Sequence, residues 1–209
     1  RRLGLDRPPG FPFNLNNAVD TLLKTEFDHY RKDEKRHPIQ EKYGLNSHPV
    51  PHEKLDEWRN NFKGVQFLYE KFNLLIFGAI DDLWINENHQ YSVVDYKATA
   101  KKDRITELDQ AWHAGYKRQM EIYQWLLRRN GLHVSDTGYF VYCNGKAGLL
   151  KFEDTIQFDT TLIAYKGSDD WVENTIADIH KCLNSQKIPS ASFNCDYCKY
   201  TSEMEKLIN

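Results

Sequence analysis

The stretch that decides the fold is Leu74-Leu75-Ile76-Phe77-Gly78-Ala79-Ile80-Asp81-Asp82-Leu83-Trp84-Ile85, followed by Tyr91-Ser92-Val93-Val94-Asp95-Tyr96-Lys97-Ala98. Both runs are rich in Ile, Val, Leu, Phe and Tyr, and Asn86-Glu87-Asn88-His89 between them reads as a turn, which predicts a β-hairpin. Successive strand side chains point to opposite faces, so Asp95 and Lys97 share one. Asp81, on the neighbouring strand, could reach that face in the right register. Gly78 permits close backbone approach. Asp95 ends an apolar run in which a charge has no packing reason to stand.

Two carboxylates and a lysine so placed suit metal-dependent phosphodiester hydrolysis. That reaction needs the phosphate's charge neutralised, a water made nucleophilic and the leaving alkoxide stabilised, and a cation on hard oxygen ligands supplies all three. Asp81 and Asp95 are the candidate ligands. Lys97 is the candidate to orient or deprotonate the water, or to stabilise charge on the phosphate. Without a cation the carboxylates repel, and one pKa should rise. An Asp at a strand end with a Lys two residues on is common in structural strands, and it is the combination of features that points to a site.

Two predicted helices add candidates. In 15–30 (LNNAVDTLLKTEFDHY) the apolar positions Leu15, Val19, Leu22, Leu23, Phe27 and Tyr30 recur at helical spacing, and Glu26 falls on that stripe. The alternative is a glutamate at the stripe's margin. In 107–131 the positions Trp112, Tyr116, Met120, Tyr123, Leu126 and Leu127 make a long amphipathic helix with Gly131 as its C-terminal cap. Gln119 lies on its inward stripe, where a buried amide needs hydrogen-bond partners.

Taken together, a helix with Glu26, then G-A-I-D, V-D-Y-K and Q-M-E-I-Y, the chain resembles the PD-(D/E)XK nuclease superfamily over residues 15–130. The pattern is most similar to the RecB-like branch, which includes nuclease domains of recombination helicases and CRISPR-associated exonucleases. The resemblance implies Glu26, Asp81 and Asp95 as metal ligands for Mg²⁺ or Mn²⁺, Lys97 as the catalytic lysine, and Gln119 with Tyr123 as the helix motif beside the site. Asp82 is passed over, because the family pattern puts the acid at position 81. Many relatives hold an iron–sulfur cluster through one early cysteine and three late ones. Here Cys195 and Cys198 are similar to part of such a tail, but no cysteine precedes Cys143 and none follows Cys198, so no intact cluster is expected.

The chain has 209 residues, 40% of them hydrophobic, and a formal net charge of −2. It is long enough for one good-sized core, and a single domain over residues 1–209 is expected, with a Pro-containing N-terminal arm (Pro8, Pro9, Pro12) and a cysteine-bearing C-terminal tail. No apolar run approaches membrane-spanning length and no leader is visible, so a soluble, cytoplasmic protein without a membrane partner is expected. Four scattered cysteines fit a reducing compartment. Cys182 is expected in the core and Cys143 in a strand. The small net charge argues against indiscriminate coating of nucleic acid, yet Lys101, Lys102 and Arg104 follow the Lys97 strand and are the candidate grip on a DNA backbone. Lys117, Arg118, Arg128 and Arg129 lie on the long helix, either as further contacts to nucleic acid or as a solvated face balanced by neighbouring acids, and the solvated face is expected for Arg128 and Arg129. Trp84, Trp112, Trp125 and Tyr96 are either core or stacking platforms for bases, with core expected for most.

The predicted order is a helix over 15–34, a loop to 52, a short helix, strands near 65–72, 74–85 and 91–98, the long helix, strands near 136–144 and 149–158, and a helix near 169–185. That order implies an α/β fold, a mixed sheet flanked by helices as in the PD-(D/E)XK (restriction-endonuclease-like) core. The expected function is DNA cleavage. The alternatives are a nucleic-acid-binding module that keeps the fold without catalysis, and an interaction module in which Cys195 and Cys198 share a zinc ion with a partner.

Overall fold

A computed structural model describes residues 14–208. The Pro-containing arm lies outside the described residues. The element order is α1 (Asn14–Lys32), α2 (Pro38–Lys42), β1 (Ser47–Pro49), α3 (Leu55–Trp58), β2 (Val65–Tyr69), β3 (Leu74–Gly78), β4 (Asp82–Asn86), β5 (Tyr91–Thr99), α4 (His113–Arg129), β6 (Thr137–Gly145), β7 (Phe158–Lys166), α5 (Val172–Asn184) and α6 (Asp196–Ile208). Five strands form one sheet in the order β1-β4-β5-β6-β7, and β2 with β3 forms a separate ribbon. Among the described strands of this sheet, only the β5–β6 pair is parallel. The long crossover that a parallel pair requires is α4. The fold is therefore α/β, a mixed sheet flanked by helices.

Alternation along the strands sorts the core onto two faces. Val93, Phe140, Tyr142 and Ile163 pack with Met120, Tyr123, Leu126 and Leu127 of α4 and with Val172 and Ile176 of α5. Trp84, Val94, Tyr96, Val141, Cys143 and Leu162 pack beneath Phe27 of α1. Neighbours on β5 thus face opposite ways, as period-two geometry demands. Asp95 and Lys97 share Val93's parity and Tyr96 the opposite one.

The segment expected as one strand over 74–85 is two strands in two sheets. β3 pairs with β2, in register Val65↔Gly78 to Tyr69↔Leu74, and β4 pairs with β5 from Asp82↔Val94 to Ile85↔Tyr91. Between them Ala79-Ile80-Asp81 crosses from ribbon to sheet, with Ile80 fully buried and its N–H bonded to the carbonyl of Trp58 at 3.1 Å. An apolar run can thread a core while changing partners, which hydrophobicity alone does not reveal.

Other expectations shift for local reasons. The strand expected at 149–158 begins only at Phe158, because Glu153 and Asp154 take positive φ and turn the chain, leaving Leu150 and Phe152 exposed. The loop after α1 contains α2, started by a capping box: the His37 ring accepts from the Ile39 N–H, and the Gln40 side chain accepts from the His37 N–H at 2.8 Å. α4 closes as expected at Gly131 (φ 84°), with the Leu132 N–H on the Leu127 carbonyl and the Gly131 N–H on that of Arg128, a Schellman motif. Cys182 is exposed rather than in the core, since the buried stripe of α5 ends at Ile176 and Ile179 is already 44% exposed. Cys143 lies buried in β6. Trp84, Trp125 and Tyr96 are core residues, while Trp112 is exposed. Among the described residues no helix is long and apolar enough to cross a membrane.

Candidate active site

The site forms where β4 ends its pairing with β5. Beyond Val94 the β5 strand continues alongside β6, and the Tyr96 N–H takes the Asp81 carboxylate as acceptor, 2.8 Å from Oδ2. Asp81 is thereby fixed beside Asp95. Asp95 is almost wholly buried; its Oδ2 accepts no well-aligned hydrogen bond and has the Lys97 ammonium as ion-pair partner. The side of Lys97 is closed by α4: its Nζ lies 3.3 Å from Gln119 Oε1 and 4.5 Å from the centre of the Tyr116 ring, and Gln119 Nε2 donates to the Tyr123 hydroxyl at 2.8 Å.

Gly78 makes this closure possible. A Cβ there would stand 2.6 Å from Cε1 of Tyr123, so only glycine lets α4 bring that ring against the ribbon.

The electrostatics are those of a buried acid, Asp95, beside a partly buried one, Asp81. Burial pushes the Asp95 carboxyl up to about 7, with the Asp81 charge adding to the rise and Lys97 opposing it. Burial raises Asp81 as well, against the pull of Lys24. Burial and the charges of Asp95 and Asp81 hold the Tyr123 hydroxyl above its ordinary value, so it is a neutral donor or acceptor at any physiological pH.

Asp81, Asp95, Lys97, Gln119 and Tyr123, five residues expected from sequence, thus come together. Glu26 does not join them. Its side chain is 56% exposed and its Oε1 lies 2.9 Å from His37 Nε2, in a cleft lined also by Leu23, Phe27 and Arg104. The cause is a rotation of α1 relative to the expected stripe. Leu15 and Leu22 are 59% and 68% exposed, whereas Phe27 and Arg31 are buried, so the face on the sheet runs through Asp20, Lys24, Phe27 and Arg31. The residues that α1 does send to the site are Asp20 and Lys24: Lys24 Nζ lies 2.8 Å from Asp20 Oδ2 and 3.3 Å from Asp81 Oδ1. Their i, i+4 spacing on a helix was the signal available in the sequence.

Asp82 is a structural acid. Fully buried, it holds Arg31 and Arg59, accepts from the Tyr96 hydroxyl at 2.7 Å, and is bridged through Arg59 to Asp28. This network joins α1, α3 and β4 directly behind the site.

Of the expected DNA-contacting residues, Lys101 and Lys102 are exposed on a loop pinned by Asn144, whose Oδ1 accepts from the Lys101 N–H at 2.7 Å. Arg104 is instead held by β7, with Nε 2.7 Å from Thr161 Oγ1 and a terminal nitrogen 3.1 Å from the Thr160 carbonyl. Beside Lys101 a cavity of about 260 Å³, lined by Thr99, Trp112, Tyr116 and Tyr142, opens at the end of β5. Arg128 and Arg129 are paired with Asp136, Asp169 and Glu173, as a solvated face would be.

Among the described residues no three of His, Cys, Asp and Glu converge as a metal-holding group. Cys195 and Cys198, at the start of α6, have each other as partners. Asp81 and Asp95 nonetheless fit a hard divalent cation. Mg²⁺ retains several waters and is commonly held by one or two carboxylates together with a substrate phosphate, and Asp95 Oδ2, paired with Lys97 but accepting no well-aligned hydrogen bond, has lone pairs left for such an ion.

No curated protein matches the chain. The sequence pattern of one family does, the PD-(D/E)XK nuclease superfamily, over residues 9–202. Members of this superfamily generally use divalent metal ions and act on nucleic acid. With a match along nearly its whole length, the chain belongs to the PD-(D/E)XK nuclease superfamily.

Proposed function

We propose that the protein is a Mg²⁺- or Mn²⁺-dependent deoxyribonuclease with a RecB-like core. The observation that carries this reading is the convergence of Asp81 from the β3–β4 crossing, Asp95 and Lys97 from β5, and Gln119 and Tyr123 from α4 on one partly buried point. Binding alone has no use for paired carboxylates, which repel phosphate. Asp81 and Asp95 would hold the cation, which supplies Lewis-acid neutralisation of the phosphate and a water acidified toward hydroxide.

This chain's own residues do the rest. Lys97, paired with Asp95 and held by the Gln119 carbonyl, is placed to orient the attacking water or to meet charge that develops on the phosphate. Gln119 fixes the ammonium on one side and the Tyr123 hydroxyl on the other. That helix pair supports the RecB-like branch. Lys101 and Lys102, exposed beyond the end of β5, support a nucleic-acid substrate held by its phosphate backbone.

The test is incubation of the purified protein with end-labelled and circular DNA, single- and double-stranded, in Mg²⁺, Mn²⁺ or EDTA. Cleavage with either metal and none in EDTA supports the reading, and metal-dependent binding without cleavage would favour a silent nucleic-acid-binding module.

A further inference from the structure

We infer that Lys24 is a second lysine of the site that contacts the phosphodiester, with Asp20 as its positioning residue; the inference rests on the nuclease reading above. The acid pair is flanked by one lysine at each member. Lys97, from β5, pairs with Asp95, and Lys24, from α1, pairs with Asp81 at 3.3 Å. Lys24 is also tethered to Asp20 at 2.8 Å, one helical turn away. Two carboxylates face its ammonium, Asp20 from α1 and Asp81 from the segment before β4, and hold it in place as a cation.

The tether is what distinguishes Lys24 from a simple counter-ion. An ammonium has three donors; Asp20 Oδ2 accepts one at 2.8 Å, and Asp81 Oδ1 lies 3.3 Å away as an ion-pair partner. Its side chain remains 22% exposed, so the third donor is within reach of a ligand. When Asp81 turns its oxygens to a divalent cation, Lys24 loses part of its attraction to Asp81 but stays anchored by Asp20 beside the acid pair. A phosphate bound at that cation brings non-bridging oxygens to the same place, and the lysine's donors are available to them. Through Lys24, Asp20 stands next to Asp81, and carboxylates gathered there repel one another. Lys24 offsets that repulsion while serving the substrate.

The test measures Mn²⁺ affinity by calorimetry and single-turnover cleavage of labelled DNA at saturating Mn²⁺, for wild type, Lys24→Met, Lys24→Arg and Asp20→Asn, with melting curves to establish folding. Lys24→Met is expected to bind Mn²⁺ at least as tightly as wild type, because a competing cation has gone, yet to cleave at least about ten-fold more slowly, in line with loss of one charge-stabilising donor. Lys24→Arg should recover most of that loss, and Asp20→Asn should lose less than Lys24→Met. Should Lys24→Met fail to fold, Lys24→Gln takes its place. Wild-type cleavage by the folded Lys24 variant, or a loss that merely tracks weakened Mn²⁺ binding, would overturn the inference while the nuclease reading stands. Absence of metal-dependent cleavage by the wild type would overturn both.

Discussion

The backbone N–H of Tyr96 donates to Oδ2 of Asp81 at 2.8 Å, so the strand that carries Asp95 also orients the other acid. The bond forms just beyond the last register pair of β4 and β5, Asp82↔Val94, where β5 goes on without β4 beside it. A carboxylate takes the place of a strand neighbour, and the same geometry makes the acid pair.

Adjacent acids should therefore fail differently. Asp81→Asn keeps an acceptor for the Tyr96 N–H and should abolish metal-dependent cleavage with little change in melting temperature. Asp81→Ala leaves that donor unsatisfied and should cost about 1–3 kcal/mol in addition. Asp82→Ala strips buried Arg31 and Arg59 of their partner and should destabilise the fold by about 3–5 kcal/mol. Chemical denaturation beside cleavage assays separates the three, and a stable, inactive Asp82→Ala would contradict the division of labour.

Glu26 gives a sharper comparison, because the sequence pattern and the geometry disagree about it. Its carboxylate pairs with His37 and is largely exposed. Glu26→Gln should retain cleavage within about two-fold, as surface substitutions away from a site usually cost little. A loss comparable to that of Asp81→Asn would return Glu26 to the metal.

The pH dependence follows from Asp95. Its folded pKa, about 7, lies above the ordinary 3.8, so between those values the folded chain binds more protons than the unfolded one. Stability contributed by the protonated form is full at low pH and is lost as pH rises from about 4 to about 7. Saturating Mg²⁺ should reverse that slope, since it binds the deprotonated site. Melting curves across this range should flatten in metal-free Asp95→Asn, and an unchanged slope in that variant would show that the proton resides elsewhere.

For substrate holding, Lys101→Ala/Lys102→Ala should weaken DNA binding regardless of sequence and flatten the slope of log affinity against log salt by about 1.4 to 1.8. Arg104→Ala should change that slope little and lower stability instead, because its guanidinium is engaged with Thr160 and Thr161. Salt titrations of labelled DNA decide it, and a slope unmoved by the double substitution would make the loop an ordinary solvated surface.

Much of this architecture was legible in the chain. Period two placed Asp95 and Lys97 together, helical periodicity placed Gln119 and Tyr123 on one face, and Gly131 marked the end of α4. What escaped was partner choice. Apart from Gly78, Asp81 and Asp82, residues 74–85 form a continuous apolar run, so its hydrophobicity does not show that β3 and β4 join different sheets, and the change of sheet is what carries Asp81 to the site. The helical phase of α1 departs from its apolar stripe for a related reason. Leu15 and Leu22 face solvent, and the inward face carries Asp20, Lys24 and Arg31 beside Phe27, with partners from β4 and the loop before it for Arg31 and Lys24. The strand after β6 was displaced because the turn at Glu153 and Asp154 uses positive φ without glycine to mark it.

The most direct test of the account is single-turnover cleavage by Asp95→Asn beside wild type, on the same DNA at saturating Mg²⁺. The substitution keeps the shape of the buried side chain and removes the charge that pairs with Lys97. The account predicts cleavage by the wild type that EDTA abolishes, and a variant with unchanged fold and a rate lower by at least about 10²-fold, as for loss of a principal charge-stabilising group. Undiminished cleavage by a folded Asp95→Asn would contradict it.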